Sequence, residues 1–181
     1  MEQSEIWLVA GGLFFAGLVK GLSGIGFSTF ALPALVLVLD LSVAMALITL
    51  PVLASNVLVI ATGFDCKATL TRFRRMYAAL IPGSGAGAVL FAYAERGIAL
   101  RLLGVMTIAY VVMAVAKPGW RLPVRHARWL EPQVGFLTGV ITGMTGSQVV
   151  PLVPFIASLP LDAREQVQAI NIAVTLGSIL L

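Results

Sequence analysis

From Ile6 to Leu39 the chain is apolar, except for Lys20 and a cluster of small residues that includes Gly21, Ser23, Gly24, Gly26, Ser28 and Thr29. One helix over this run would be about 50 Å long, against a membrane hydrocarbon core of about 30 Å. A single over-long tilted span is one reading. The better fit is two short helices, Ile6–Lys20 and a second opening near Pro33 and running to Leu39, meeting at Gly21–Ala31. Glycine permits backbone angles that a helix does not. Pro33 suits the first turn of the second helix, where no backbone N–H is needed. A break inside lipid leaves backbone groups without partners, so it must be covered by protein or line a polar site.

Composition identifies the solvent. The chain is 59% hydrophobic and 11% charged, with a mean hydropathy of +1.00. Soluble domains carry about 25% charged residues. The expected fold is all-α, a polytopic transmembrane helix bundle with two glycine-broken re-entrant hairpins. The net charge is +4. Its cations concentrate in two short loops, 65–76 and 117–131, which fits a cytoplasmic positive-inside pattern and argues against nucleic acid as a partner. Spans are expected at 41–63, 77–94 and 98–116, with a further one from Asp162. Ser42 is a candidate N-cap, Pro51 a kink site and Asn56 a polar group at lipid depth. Gly83, Gly85 and Gly87 form a stripe for close helix packing. Arg101 can snorkel, and Trp120 and Trp129 suit the membrane interface. The acidic N-terminus lacks the basic region of a signal peptide.

The glycine-broken run occurs twice. Phe14, Gly17, Gly21 and Gly24 match Phe136, Gly139, Gly143 and Gly146 at a constant offset of 122, and Ser23 matches Thr145. Beyond the break the offset shrinks, and Leu41-Ser42 meets Leu161-Asp162. The domain reading follows. Residues 1–116 form a first repeat, with a broken hairpin at 6–39. Residues 117–131 form a basic cytoplasmic loop. Residues 132–181 open a second repeat, with its hairpin at 134–159. With both basic loops inside, the first hairpin starts and ends outside and the second starts and ends inside. The repeats are then inverted, the pattern of many secondary transporters.

Little here supports an enzyme. His126 lies in a basic loop, Cys66 is a lone thiol, and every carboxylate sits at the end of a span. No metal-ligand spacing or cofactor motif is present. The breaks carry the chemistry. A helix that starts within the membrane presents unpaired N–H groups and a positive dipole end, which an anion satisfies. The candidate substrate-binding residues are Lys20, Gly21, Ser23, Gly24, Gly26, Ser28 and Thr29 in the first break. In the second they are Gly143, Thr145, Gly146, Ser147 and Gln148. The glycines also read as packing positions and the hydroxyls as backbone caps. Lys20 is either a fixed cation for an anion or a lysine that snorkels to the nearer interface. Asn56 and Asn171 are expected to bond to neighbouring helices.

Together, GLVKGLSGIGFSTFALPALVLVL and GFLTGVITGMTGSQVVPLVPFIASLPL resemble the TauE/SafE family, the sulfite exporter family of membrane permeases. The resemblance spans nearly the whole chain. It implies a multi-pass protein of the bacterial inner membrane that moves sulfite, sulfonates or related organic acids. An anion channel, or a carrier of another small solute on the same scaffold, is the alternative; a membrane scaffold or enzyme subunit is a third class. The resemblance also implies about eight membrane segments. This chain stops in what looks like the sixth, so it reads either as a fragment or as one half of a homo-oligomer. Gly26 corresponds to Gln148, so the two motifs are not equivalent.

Overall fold

The computed structural model describes residues 3–62, 66–116 and 121–181, and among these it is helical without strands. Asp65, Lys117 and Trp120 of the basic loops lie outside the described residues. The helices are α1 (Gln3–Ser23), α2 (Phe27–Leu35), α3 (Leu41–Thr62), α4 (Cys66–Arg72), α5 (Arg74–Tyr93), α6 (Arg96–Ala116), α7 (Val124–Thr145), α8 (Leu152–Ala157) and α9 (Ala163–Ile179). Four of them, α1, α3, α5 and α6, are long and apolar enough to cross a membrane, with mean hydropathies from 1.3 to 2.3.

α1 and α2 form an antiparallel hairpin. A Cβ on Gly12 would lie 2.9 Å from Ala34 Cβ, and one on Gly17 would touch the Phe27 ring at 4.0 Å. Between them Phe15 and Phe30 meet edge to face at 5.9 Å. The break is tighter than the sequence implies. α1 continues past Lys20 to Ser23, and α2 opens at Phe27 rather than near Pro33. Gly24 and Gly26 take the left-handed conformation, with φ of 76° and 92°. That conformation ends one helix and re-aims the chain into the next. Burial of Phe27, Ala31, Leu32 and Leu35 then carries α2 through Pro33, which lies inside the helix and not in its first turn. Likewise Ser42 does not cap α3, which already begins at Leu41.

A second hairpin pairs α7 with α8. Leu122 N–H donates to Ser158 C=O at 2.9 Å, tying its two ends together. Both basic loops are largely helical: residues 66–72 form α4, and α7 opens at Val124, so His126 is a helix residue. α7 runs parallel to α5 at backbone contact. A Cβ on Gly135, Gly139 or Gly143 would overlap the carbonyl oxygens of Met76, Leu80 or Ser84, and Gly83 and Gly87 reciprocate against Phe136 and Val140. Gly85 faces open space.

α3 and α9 run past both breaks in opposite directions. Along α3, Met45 abuts Gly146 and Asn56 reaches Lys20. Along α9, Val167 abuts Gly24, Asn171 reaches Lys20, and Gly177 abuts Gln148. The helices that follow the two hairpins are therefore antiparallel. α9 is anchored at its start by a capping box, with Asp162 Oδ1 accepting from Glu165 N–H at 2.7 Å.

Candidate substrate site

The two breaks share one cap. Gly24 N–H donates to Lys20 C=O, and Gly146 N–H to Thr142 C=O, each at 2.7 Å. Ser23 Oγ donates to Val19 C=O at 2.8 Å and accepts from Ile25 N–H at 3.3 Å. Thr145 Oγ1 donates to Ile141 C=O at 2.7 Å and accepts from Ser147 N–H at 3.2 Å. Gly146 has a φ of 70°, against 76° at Gly24. Each of these pairs is 122 positions apart. The hydroxyl closes the last turn and the left-handed glycine ends it.

The breaks differ in what they hold. Lys20 is buried (6% exposed) between two amide side chains that are 0% and 1% exposed, Asn56 and Asn171. Its ammonium donates to Asn56 Oδ1 and, at 2.9 Å, to Asn171 Oδ1. The Asn171 amide nitrogen in turn donates at 2.8 Å to Gly24 C=O and at 2.8 Å to Val167 C=O. An ammonium has three donors, so two amides leave one N–H for another acceptor. Among the described bonds the Lys20 ammonium meets two neutral amide oxygens and no carboxylate. At the matched position of the second break, Thr142 returns its hydroxyl to Thr138 C=O at 2.7 Å.

A cavity of about 20 Å³ lies between the breaks. Lys20, Gly26, Ser28, Thr29, Tyr110, Gln148 and Asn171 supply its polar lining, against Val52, Val149, Val153, Ile170 and Val174 among others. α2 begins here with Gly26 as N-cap, which offers no side-chain acceptor to the first N–H groups. Thr29 Oγ1, Asn56 Nδ2 and Gln148 Oε1 are buried without a hydrogen-bond partner in the structure. Gln148 Nε2 donates to Ser178 Oγ at 3.1 Å.

Not all sequence candidates meet at this cavity. Gly21 is exposed with nothing near it, and Ser23 is exposed and occupied as a cap. Gly143 is packed on α5. Gly24, Thr145, Gly146 and Ser147 shape the turns without lining the cavity. Asn56 and Asn171 were expected only to tie helices together. They do so through the buried lysine, which places them at the centre of the arrangement. Their signal in the sequence was an amide at span depth in the helix after each hairpin.

The pattern of the family described as Sulfite exporter TauE/SafE matches residues 9–181. The chain belongs to the TauE/SafE family. No curated protein and no solved structure matches it. As a TauE/SafE protein with four apolar helices of spanning length, it is a multi-pass membrane protein of a transporter family. In this TauE/SafE chain the repeated glycine motif builds the two hairpin turns. Of its non-equivalent positions, Lys20, Gly26 and Gln148 line the cavity, while Thr142, the match of Lys20, does not.

Proposed function

We propose that the chain is a secondary transporter for a small anion, such as sulfite, a sulfonate or a related organic acid, in a bacterial inner membrane. The observation that carries this reading is the Lys20 ammonium, held by two neutral amides and facing the cavity between the breaks. A charge at membrane depth costs several kcal/mol unless it is compensated. Amides orient the lysine without cancelling its charge, which leaves an electrostatic site for an anion. The uncapped N–H groups of α2, with Ser28 and Thr29, add donors on the same side.

The hairpins are read as re-entrant, entering from opposite faces, with the basic end cytoplasmic. Two buried apolar clusters flank the site. One contains Tyr77, Leu152, Phe155, Ile156 and Leu159; the other contains Phe27, Leu32, Met45, Ile48 and Val52. At about 20 Å³ the cavity has room for about one water. With a buried cluster on either hand, opening one at a time would give alternating access. A cavity this small, with no room for a continuous water path, fits a carrier better than a channel.

Reconstitution into proteoliposomes tests the reading. Saturable, counter-exchanging sulfite or sulfonate flux is expected, and Lys20→Ala should sharply reduce it while inserting normally. Undiminished flux in Lys20→Ala would sink the site assignment, and flux without saturation or exchange would favour a channel.

A further inference from the structure

A second and much larger cavity, about 1020 Å³, opens at the basic end of the molecule. Lys67 and Arg72 of α4, Arg74 and Arg75 of α5 and Arg128 of α7 line it, with Ala68, Ala127, Leu159 and Pro160 among its neutral walls. The one carboxylate in its lining, Glu131, is buried (6% exposed). The cluster containing Phe155, Ile156 and Leu159 separates this cavity from the Lys20 site. Its volume is at the upper end for small-molecule pockets, far beyond the needs of a four-atom anion. It lies where α4 meets α5, and the chain neighbours of its lining residues Thr71 and Arg128 include Leu70 and Trp129, which are 41% and 80% exposed. Exposed tryptophan and leucine beside cations is the composition of a membrane interface.

We infer that this cavity binds a phosphate-bearing anion, and that the headgroup of an anionic phospholipid fits it best. Arg72, Arg75 and Arg128 come from three different helices, so one ligand can be gripped from several sides. Guanidinium groups hold phosphate oxygens in bidentate fashion. The neutral walls suit a glycerol backbone, and Trp129 and Leu70 would lie against the acyl chains. A basic pocket between helices at the cytoplasmic surface has the character that anionic lipids recognise. Binding there would brace α4, α5 and α7, and with them the α5–α7 pair that carries the second hairpin.

The test uses the full chain in neutral detergent, supplied with phosphatidylcholine, phosphatidylglycerol or cardiolipin. Retained lipid is read by native mass spectrometry. Anionic lipid should be retained at least about fivefold over phosphatidylcholine, a modest preference for several charge contacts. The combined variant Arg72→Gln, Arg75→Gln, Arg128→Gln should lose that preference, and Arg121→Gln, outside the cavity, should keep it. If the combined variant fails to fold, Arg72→Gln and Arg128→Gln singly should each reduce it. Competition by millimolar glycerol phosphate or inorganic phosphate would assign the site to a soluble phosphate; its absence would assign it to lipid. Equal retention of all lipids with no phosphate binding, or equal loss in Arg121→Gln, would overturn the inference.

pH supplies an independent reading. Burial pushes the Glu131 carboxyl above its ordinary range, while Arg75, Arg128 and Arg72 pull it down. Tyr77 also faces it electrostatically, and Lys67 and Arg74 complete the charged lining. As pH falls through its raised pKa, Glu131 becomes neutral and stops competing for the arginines. Anion retention should therefore strengthen on mild acidification, and Glu131→Gln should bind more tightly and remove that pH response. Weaker retention at low pH would count against the site.

Discussion

The two breaks share a backbone cap and differ in nearly everything around it. In the first, three residues separate α1 from α2; in the second, six separate α7 from α8. The glycines before them part company as well. On α7, Gly139 and Gly143 bring the backbone onto α5, whereas their matches on α1, Gly17 and Gly21, meet only the edge of Phe27 or nothing. The charge also sits on one side, at Lys20, with Thr142 neutral and self-satisfied opposite. Similar local sequence therefore fixes the turn, and the surrounding helices decide whether each position packs, caps or binds. A repeated motif is evidence for repeated geometry before it is evidence for repeated function.

The largest expected contrast is between the matched glycines. Gly143→Leu forces side-chain atoms into the α5 backbone, where neighbours cannot relax, and overpacking of this kind costs about 1–3 kcal/mol or more. Folded, monodisperse protein should largely disappear on size-exclusion chromatography. Gly21→Leu has open space around it and should give near-normal yield. Equal yields would break the claim that the two glycine stripes differ in role.

Next comes the charge. Lys20→Ala should lower anion flux about a hundredfold, the scale of removing one partner from a buried polar network, about 3 kcal/mol. Thr142→Ala loses only a hydroxyl bonded to its own helix and should stay within about twofold. Comparable losses in reconstituted flux would mean that the breaks contribute symmetrically. Asn56→Asp sharpens the point. A carboxylate beside Lys20 would cancel its charge, so substrate affinity should fall although packing is kept.

How much of this was legible in the sequence follows the same division. The helical bundle, the two broken hairpins and the pairing of Ser23 with Thr145 depend on local chemistry, and local chemistry is what a sequence states. The boundary at Phe27 was missed because Pro33 is a strong start signal, while Gly26 needs only a left-handed φ to open a helix earlier. Gly143 packs on the α5 backbone, one of the two roles its sequence leaves open, and periodicity alone does not say which face meets another backbone. The placement of Asn171 against Lys20 and Gly24 depends on helices 151 and 147 positions apart in sequence, and no spacing rule reaches that far. The antiparallel course of α3 and α9 was implied by charge bias alone and has a concrete basis in the contacts at Met45, Asn56, Asn171 and Gly177.

The left-handed glycines should give the middle-sized effect, and the same one in both breaks. Gly24→Ala and Gly146→Ala each place a Cβ in a conformation that costs an L-residue about 1–2 kcal/mol. Both added methyls would press on a side chain at 2.8 Å, Val167 Cγ1 and Met45 Cγ respectively. Methionine adapts more readily than a β-branched valine. Thermal unfolding in detergent should thus show a slightly larger loss for Gly24→Ala. A large loss in one variant and none in the other would show that the shared cap is a coincidence of geometry.

The smallest effect belongs to Gln148, where the second break places a side chain and the first has Gly26. Gln148 closes the cavity against α9, donating to Ser178 and pressing on Gly177, where a Cβ would come within 2.6 Å of Oε1. Its truncation to Ala removes one neutral hydrogen bond and enlarges the cavity. A net hydrogen bond is worth about 1 kcal/mol, or roughly fivefold in an equilibrium constant. The expected signature is therefore a KM for the transported anion raised several-fold, with maximal flux nearly kept, because Lys20 and the α2 amides still attract the charge. A collapse of maximal flux at unchanged KM would instead make Gln148 part of the moving gate, and would shift the functional asymmetry from the charge in the first break to the turn in the second.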